Sequence, residues 1–222
     1  METIVSIEDI QEITHDVLQI QTSKPPEWDF KPGQATEVAI NQPEWRSKGR
    51  PFTFTSLPED DFLQFTIKTY MDHEGVTQAM RRLDVGNELI LQDIFGDISY
   101  QGPGLFIAGG AGITPFISIF KALEKAGEVK GNRLLFANKT LEDIILKDWF
   151  EQLLGLDFIN VLSDEKRAGY ESGHVDAQVI SKHLQSPQDK VYLCGPEAMM
   201  ESVQEALDSL NFPAEQCIHE AF

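Results

Sequence analysis

At Gln101-Gly102-Pro103-Gly104 the hydrophobic period of the chain changes, and that change restricts the fold more than any other feature. Before it, short segments combine β-branched and aromatic residues with partial alternation: Thr3–Ile10, Val17–Thr22, Thr36–Ile40, Phe52–Ser56, Phe62–Thr69 and Leu89–Leu91. Turn formers such as Lys24-Pro25-Pro26 and Lys31-Pro32-Gly33 separate them. Alternation at period two predicts strands with one buried face, and hence an antiparallel, six-stranded β-barrel. One segment departs from this: Val76, Ala79, Met80 and Leu83 fall at helical spacing and predict a short helix over Thr77–Leu83.

Beyond residue 102, nearly continuous apolar strands alternate with amphipathic helices. Leu105–Ala108 precedes Pro115–Glu124, Arg133–Ala137 precedes Leu141–Leu153, Asp157–Leu162 precedes His174–Leu184, and Val191–Cys194 precedes Glu197–Leu210. Strands apolar on both faces need helices over both, which predicts an α/β doubly wound parallel sheet. The expected organisation is therefore two domains, residues 1–102 and residues 103–222.

Charge narrows the function. The 222 residues carry 36 acidic and 18 basic side chains, a formal net charge of −18. Residues 1–102 hold 18 acids against 8 bases and residues 103–222 hold 18 against 10, so neither half is basic. Binding to nucleic acid or anionic lipid needs a basic footprint, and neither is expected here. No apolar run approaches the roughly 18 residues of a membrane span. The start Met-Glu-Thr-Ile-Val lacks the features of a signal peptide, so a cytoplasmic protein is expected. With only two cysteines, Cys194 and Cys217, an iron–sulfur cluster held by four cysteines of this chain is excluded. The five histidines show no paired helical spacing, and no metal site is expected.

Five short motifs carry possible chemistry. Ala108-Gly109-Gly110-Ala111-Gly112-Ile113-Thr114-Pro115 follows a buried strand and opens a helix, where glycines let backbone approach a pyrophosphate at unpaired N–H groups. Pro115 stands where the usual dinucleotide fingerprint has its third glycine, and a tight strand-to-helix turn has the same appearance. Arg50-Pro51-Phe52-Thr53 offers a guanidinium for phosphate, a ring and a hydroxyl, or else an ordinary edge strand. Gly75-Val76-Thr77 reads as an anion-holding turn or a capped surface helix. Cys194-Gly195-Pro196 ends the last apolar strand, on the rim where open parallel sheets collect ligands. Glu220-Ala221-Phe222 carries no role by itself.

In this order the motifs resemble the ferredoxin–NADP reductase superfamily of flavin and nicotinamide oxidoreductases, over almost the whole chain. Phe30-Lys31-Pro32-Gly33-Gln34 is similar to the family's F-x-P-G-Q turn, and Arg50-Pro51-Phe52-Thr53 to its R-x-Y-[S/T] flavin motif. Gly75-Val76-Thr77 resembles its G-x-x-S element, Gly110–Pro115 its nicotinamide loop, and Cys194-Gly195-Pro196 its C-G-P turn. The resemblance implies a flavin-binding barrel followed by an NAD(P)-binding domain. It implies FAD in preference to FMN, with NADH or NADPH as co-substrate.

By the same resemblance Arg50 would bind flavin phosphate, Phe52 would pack on the isoalloxazine, and Thr53 would hydrogen-bond near its N5. The backbone at Ile67 and Lys68 would line the flavin, and Gly75, Val76 and Thr77 would hold the pyrophosphate. Gly110, Ala111, Gly112, Thr114, Pro115, Asn138, Cys194, Gly195 and Pro196 would receive the nicotinamide nucleotide, with Glu220 the C-terminal acid and Phe222 shielding the flavin. Phe52 replaces the family's tyrosine, which removes a phenolic hydrogen bond. Asp93-Ile94-Phe95-Gly96 replaces its G-P-x-G turn, so Phe95 would either face the adenine or join the core.

Nicotinamide preference turns on charge near the adenosine 2′ position. Phe136–Ile144 is similar to a segment of the NADH-using cytochrome b5 reductase branch, and Asp164 follows the next strand where an acid would meet the ribose. Lys139, Lys166 and Arg167 are cations that would suit NADPH. The expected function is electron transfer from a nicotinamide nucleotide, NADH favoured, through FAD to an external acceptor such as a ferredoxin, flavodoxin or haem protein. The alternative is an electron-transfer subunit or regulatory module active only in a complex. Docking an acidic acceptor would need a basic patch around Arg46, Lys48, Arg50, Arg81 and Arg82.

Overall fold

The computed structural model describes residues 2–70, 74–186 and 188–219. Strands β1 (Thr3–Thr14), β2 (Val17–Ser23), β3 (Ala35–Ile40), β4 (Arg50–Thr53), β5 (Phe62–Lys68) and β6 (Glu88–Phe95) form one sheet in the order β4-β3-β6-β1-β2-β5. Every pairing in it is antiparallel. An isolated bridge between Phe54 and Phe65 joins the two edges and closes the barrel. Phe54 is the hub inside, stacked on Phe30 at 4.2 Å and tilted against Phe65 at 5.4 Å. Helix α1 (Val76–Met80) turns Val76, Ala79 and Met80 into the same core.

The second sheet has the order β10-β9-β8-β7-β11-β12 and is parallel throughout. Its strands are β7 (Gly104–Gly109), β8 (Arg133–Asn138), β9 (Phe158–Leu162), β10 (Glu171–Ser172), β11 (Lys190–Cys194) and β12 (Cys217–Ile218). Successive side chains enter different cores. Phe106, Ala108, Leu134 and Phe136 meet helices α2 (Thr114–Ala126) and α3 (Lys147–Leu154). Leu105, Ile107, Leu135 and Val161 meet α4 (Ala177–His183) and α5 (Glu197–Ser209). This double coverage is the physical reason for the continuous apolar runs. No helix among the described residues is long and apolar enough to cross a membrane.

Several elements differ from the sequence expectation. The helix expected over Leu141–Leu153 is split into a 3-10 turn at Leu141–Asp143 and α3. Asp143 reaches back to the Thr140 backbone N–H in a capping box, and buried Ile144 and Ile145 take the chain into the core before it re-enters helix at left-handed Leu146. β4 begins and ends earlier than expected, because beyond Thr53 only the Phe54 bridge pairs with β5. The two-residue strands β10 and β12 have no signal that pattern reading detects.

The two sheets share packing. Ile13 and Val17 of the β1–β2 hairpin, together with Ile98 and Tyr100, join the apolar cluster around Phe106, Phe116 and Phe120. A polar row on α2 faces the barrel. Ser118 Oγ accepts from the Gly33 N–H at 2.9 Å, Lys121 Nζ donates to the Thr55 carbonyl at 2.6 Å and to Gln64 Oε1 at 3.0 Å, and Lys125 pairs with Glu59 at 2.7 Å. Gly33 has φ +100 and packs so tightly on the Ile98 carbonyl that a Cβ would collide with it, which accounts for glycine in this turn.

Tyr192 fastens the connection between the sheets. Its ring stacks on Phe106 at 4.1 Å, while its hydroxyl accepts from the Gln101 N–H at 2.8 Å and donates to the Gly102 carbonyl at 2.7 Å. Burial pushes its pKa up to about 12, so it stays a neutral donor. Tyr192→Phe keeps the ring and loses both bonds. A loss of about 1–2 kcal/mol is expected, measured by denaturant unfolding.

Candidate functional site

Four strand ends of the parallel sheet open on one rim. Gly109 ends β7 and Gly110 follows it, Asn138 ends β8, Ser163 and Asp164 follow β9, and Cys194 ends β11 with Gly195 after it. Gly112 lies against the Cys194 carbonyl, where any Cβ would collide with main chain, so this glycine lets two rim loops pack together. Gly110 is different, with φ +49 and open space where its Cβ would be. Asn138 is 8% exposed, and neither polar atom of its amide has a partner among the described residues. Buried amides left unpaired are costly. This orphaned amide, beside a loop with no side chain to fill it, fits a polar ligand lying on the rim.

The barrel brings its own motif to the same place. Thr114 Oγ1, at the start of α2, lies 3.3 Å from Thr53 Oγ1 at the end of β4 and 3.0 Å from the Ala111 carbonyl. Thus the expected flavin motif and the expected nicotinamide loop touch. Phe52 is half-buried, with one side against the barrel core alongside Trp45 and Ile94. Pro51 and Arg50 are exposed, and Arg50 donates only to the Gly49 carbonyl at 2.8 Å, with no carboxylate partner among the described residues. In a chain with twice as many acids as bases, a guanidinium without an acid is set up for another anion. Past the Phe54–Phe65 bridge, the β4-facing edge of β5 at Ile67 and Lys68 has no paired strand among the described residues. These features fit a flavin nucleotide.

Other expected residues have different surroundings. Val76 and Ile67 point their side chains into the barrel core, leaving only backbone for a ligand. Gly75 is the N-cap of α1 without a side-chain cap, and Thr77 is half-buried. Pro115 is buried, Pro196 exposed, and Cys194 half-buried without a disulfide. Asp164 is exposed and accepts from the Ser163 hydroxyl at 2.7 Å. Phe95 is 44% exposed, so it does not join the core, and it shares a sheet row with Ala35 and Thr53. Glu220 and Phe222 lie outside the described residues.

Motif reading missed a charged group between the two halves. Lys68 Nζ lies 2.7 Å from Asp16 and 3.6 Å from Asp143, and His15 Nε2 lies 3.7 and 3.8 Å from the same two carboxylates. His15, Asp16 and Asp143 are close enough to hold a cation, and the Lys68 ammonium already supplies that charge. Burial pushes the Asp143 carboxyl up, but hydrogen bonds from Thr140 and the charges of Lys68 and His15 outweigh it and hold its pKa below the ordinary 3.8. The one signal for this in the sequence is Thr140-x-x-Asp143, a capping box at a helix start.

Comparison with known proteins gives the class. Residues 3–94 match the model of an FAD-binding domain, and residues 106–205 that of an oxidoreductase NAD-binding domain. The chain belongs to the ferredoxin–NADP reductase and cytochrome b5 reductase family, and carries its FAD-binding and NAD-binding domains. It is 27% identical over 227 residues to the propane 2-monooxygenase reductase component of Mycolicibacterium goodii, covering 94% of this chain and 64% of that one. It is 31% identical over 191 residues to NADH-cytochrome b5 reductase 1 of Pyricularia oryzae, covering 78% and 61%. The chain thus spans less than two thirds of these relatives. The fold matches the cytochrome b5 reductase domain of Ulva prolifera nitrate reductase with a TM-score of 0.85 at 22% identity, covering 99% of this chain and 97% of that chain. It matches a ferredoxin–NADP reductase from Neisseria gonorrhoeae equally, with a TM-score of 0.85 at 17% identity, covering 99% and 98%.

Because folding lowers the proton affinity of Asp143, its contribution to stability is complete above the ordinary 3.8 and is withdrawn as pH falls through the lower native value. Asp143→Asn should therefore be less stable than the parent at neutral pH, with the difference shrinking on acidification below 3.8. Denaturant unfolding at stepped pH measures this.

Proposed function

We propose that this chain is a flavin-dependent oxidoreductase that draws electrons from a nicotinamide nucleotide and delivers them to an external acceptor. The contact between Thr53 and Thr114 carries this reading, because transfer between two bound ligands requires near contact and this pair joins their two expected seats. FAD, when bound, converts a two-electron donor into single electrons, chemistry that no side chain supplies. The protein's part is to bind, orient and shield. Arg50, Phe52, Thr53, the Ile67–Lys68 backbone and the Gly75-Val76-Thr77 turn hold the flavin, in a domain ending near residue 102. Gly110, Ala111, Gly112, Thr114, Pro115, Asn138, Cys194, Gly195 and Pro196 receive the nicotinamide nucleotide. Glu220 and Phe222 complete the proposal as the terminal acid and the ring that covers the flavin.

NADH is the favoured co-substrate. Asp164 presents an exposed carboxylate after β9, where it meets a ribose and repels a 2′-phosphate. Of the competing cations, Arg167 is held by Glu165 at 3.1 Å. A purified chain that is yellow, or becomes so with FAD, and oxidises NADH with ferricyanide supports the reading. A colourless chain that takes up neither FAD nor FMN refutes it. A yellow chain inactive with both nucleotides favours the second reading, a subunit active only in a complex, which the word "component" in the relatives' names supports.

The acceptor follows from which cations remain unoccupied. Arg46 is bound by Asn41 at 3.1 Å and Glu2 at 3.4 Å, Arg81 by Glu12 and Thr69, and Lys48 lies on the Trp45 ring at 4.6 Å. With Arg50 committed to flavin, Arg82, which is exposed and whose side chain has no partner among the described residues, is the one cation of the five left for an acidic partner, and a single charge makes little basic surface. The acceptor is a basic or uncharged molecule in the cytoplasm. Reduction of a basic haem protein should slow as ionic strength rises, whereas an acidic acceptor should show the reverse. A faster reaction with an acidic acceptor at low salt would count against this.

Arg50→Ala should weaken flavin binding by about ten- to a hundredfold, the loss of one charge-assisted contact to phosphate. Fluorescence titration of the flavin-free protein measures it, and unchanged affinity would remove Arg50 from the phosphate site.

A further inference from the structure

Thr114, Ser118, Lys121 and Lys125 recur at helical spacing along one side of α2, and each reaches a barrel residue. Lys121 grips hardest. Its ammonium is partly buried and donates to the Thr55 carbonyl at 2.6 Å and to Gln64 Oε1 at 3.0 Å. Thr55 lies two residues beyond Thr53 on the chain that leaves β4, and is itself fixed. Its N–H donates to the Gln64 carbonyl at 2.7 Å, and its hydroxyl lies 3.3 Å from Gln64 Oε1 and 3.1 Å from Thr66 Oγ1. Lys121 therefore holds a rigid node of the barrel.

We infer that Lys121 is a positioning residue that sets the register of the Thr53–Thr55 segment against α2, and so the approach of the two ligands at Thr53 and Thr114. The inference rests on reading the crevice as the transfer site. A charge drawn from water is tolerated only while its acceptors stay in place. Sliding α2 along the barrel would strip the ammonium of both acceptors at once, so this contact is stiff. The exposed Lys125–Glu59 pair is soft by comparison, since water replaces either partner at little cost. Burial pushes the Lys121 pKa down, consistent with an ammonium that depends on these two acceptors.

The test uses the FAD-loaded full chain and single-turnover reduction by whichever nicotinamide reduces the parent. Lys121→Met should lower the limiting rate by about ten- to a hundredfold, the scale of an ångström's misplacement of reacting groups. The apparent nucleotide affinity and the flavin content should stay within about threefold of the parent, a split that global destabilisation would not produce. Lys121→Arg should restore most of the rate. Hydrogen exchange of the flavin-free protein reads the same effect without catalysis, with residues 53–56 exchanging faster in Lys121→Met. An unchanged limiting rate, or unchanged exchange at 53–56, overturns the role of Lys121. If the parent takes up no flavin, or is reduced by neither nucleotide, it is the functional reading that fails. Should Lys121→Met not fold, Gln64→Met removes the side-chain acceptor and carries the same expectation at smaller size, with an unchanged rate again overturning the proposal.

Discussion

Helix α2 has to satisfy two partners at once. Phe116, Ile117, Phe120 and Leu123 are buried against the parallel sheet, while Thr114, Ser118, Lys121 and Lys125 meet the barrel. The two sets occupy different sides of one short helix, so its rotation about its own axis is determined twice. Turning it by one residue would bury the Lys121 ammonium among phenylalanines and expose apolar surface, and both changes are costly. The barrel, the sheet and the first turn of α2 are thereby locked in one arrangement. The Thr53–Thr114 contact is a consequence of that lock.

A second tie crosses the crevice at Lys68. It joins Asp16 of the barrel hairpin to Asp143 of the nucleotide half, and Asp143 in turn caps the turn that follows Asn138. The apolar contacts of Ile13 and Val17 lie nearby in sequence. Apolar contact supplies adhesion without direction, whereas the ion pairs and hydrogen bonds of Lys68 and Lys121 specify register. The acidic excess of the chain has meaning here too. With acids in surplus, Arg46, Lys68 and Arg81 are each paired with a carboxylate, whereas Arg50 donates to the Gly49 carbonyl and has no carboxylate partner among the described residues.

Much of the fold was legible because each domain has its own period. Half-buried barrel strands read as alternation, and the doubly covered strands of the parallel sheet read as unbroken apolar runs. Reading failed where the local pattern and the tertiary demand diverge. Leu141–Leu153 has helical spacing throughout, yet the structure needs Ile144 and Ile145 in the core at a point where a continuous helix would turn them elsewhere. Strands β10 and β12 are too short to show a period and exist only because a neighbouring edge offers hydrogen bonds. Phe95 could not be assigned to core or surface until the β6–β3 register was known.

By itself, the sequence determined the class of fold through its strand periods, and the order of its motifs carried the resemblance that implies a flavin in one half and a nicotinamide nucleotide in the other, because Gly-rich turns, an arginine beside an aromatic and the strand periods are local properties. Only the tertiary structure decided which of these residues meet. The contacts between Thr53 and Thr114, Lys121 and Thr55, and Lys68 and Asp143 span 61, 66 and 75 positions of sequence, and no local pattern encodes a pairing at such separations. They arise when a helix amphipathic toward one domain must also present the right polar groups to the other.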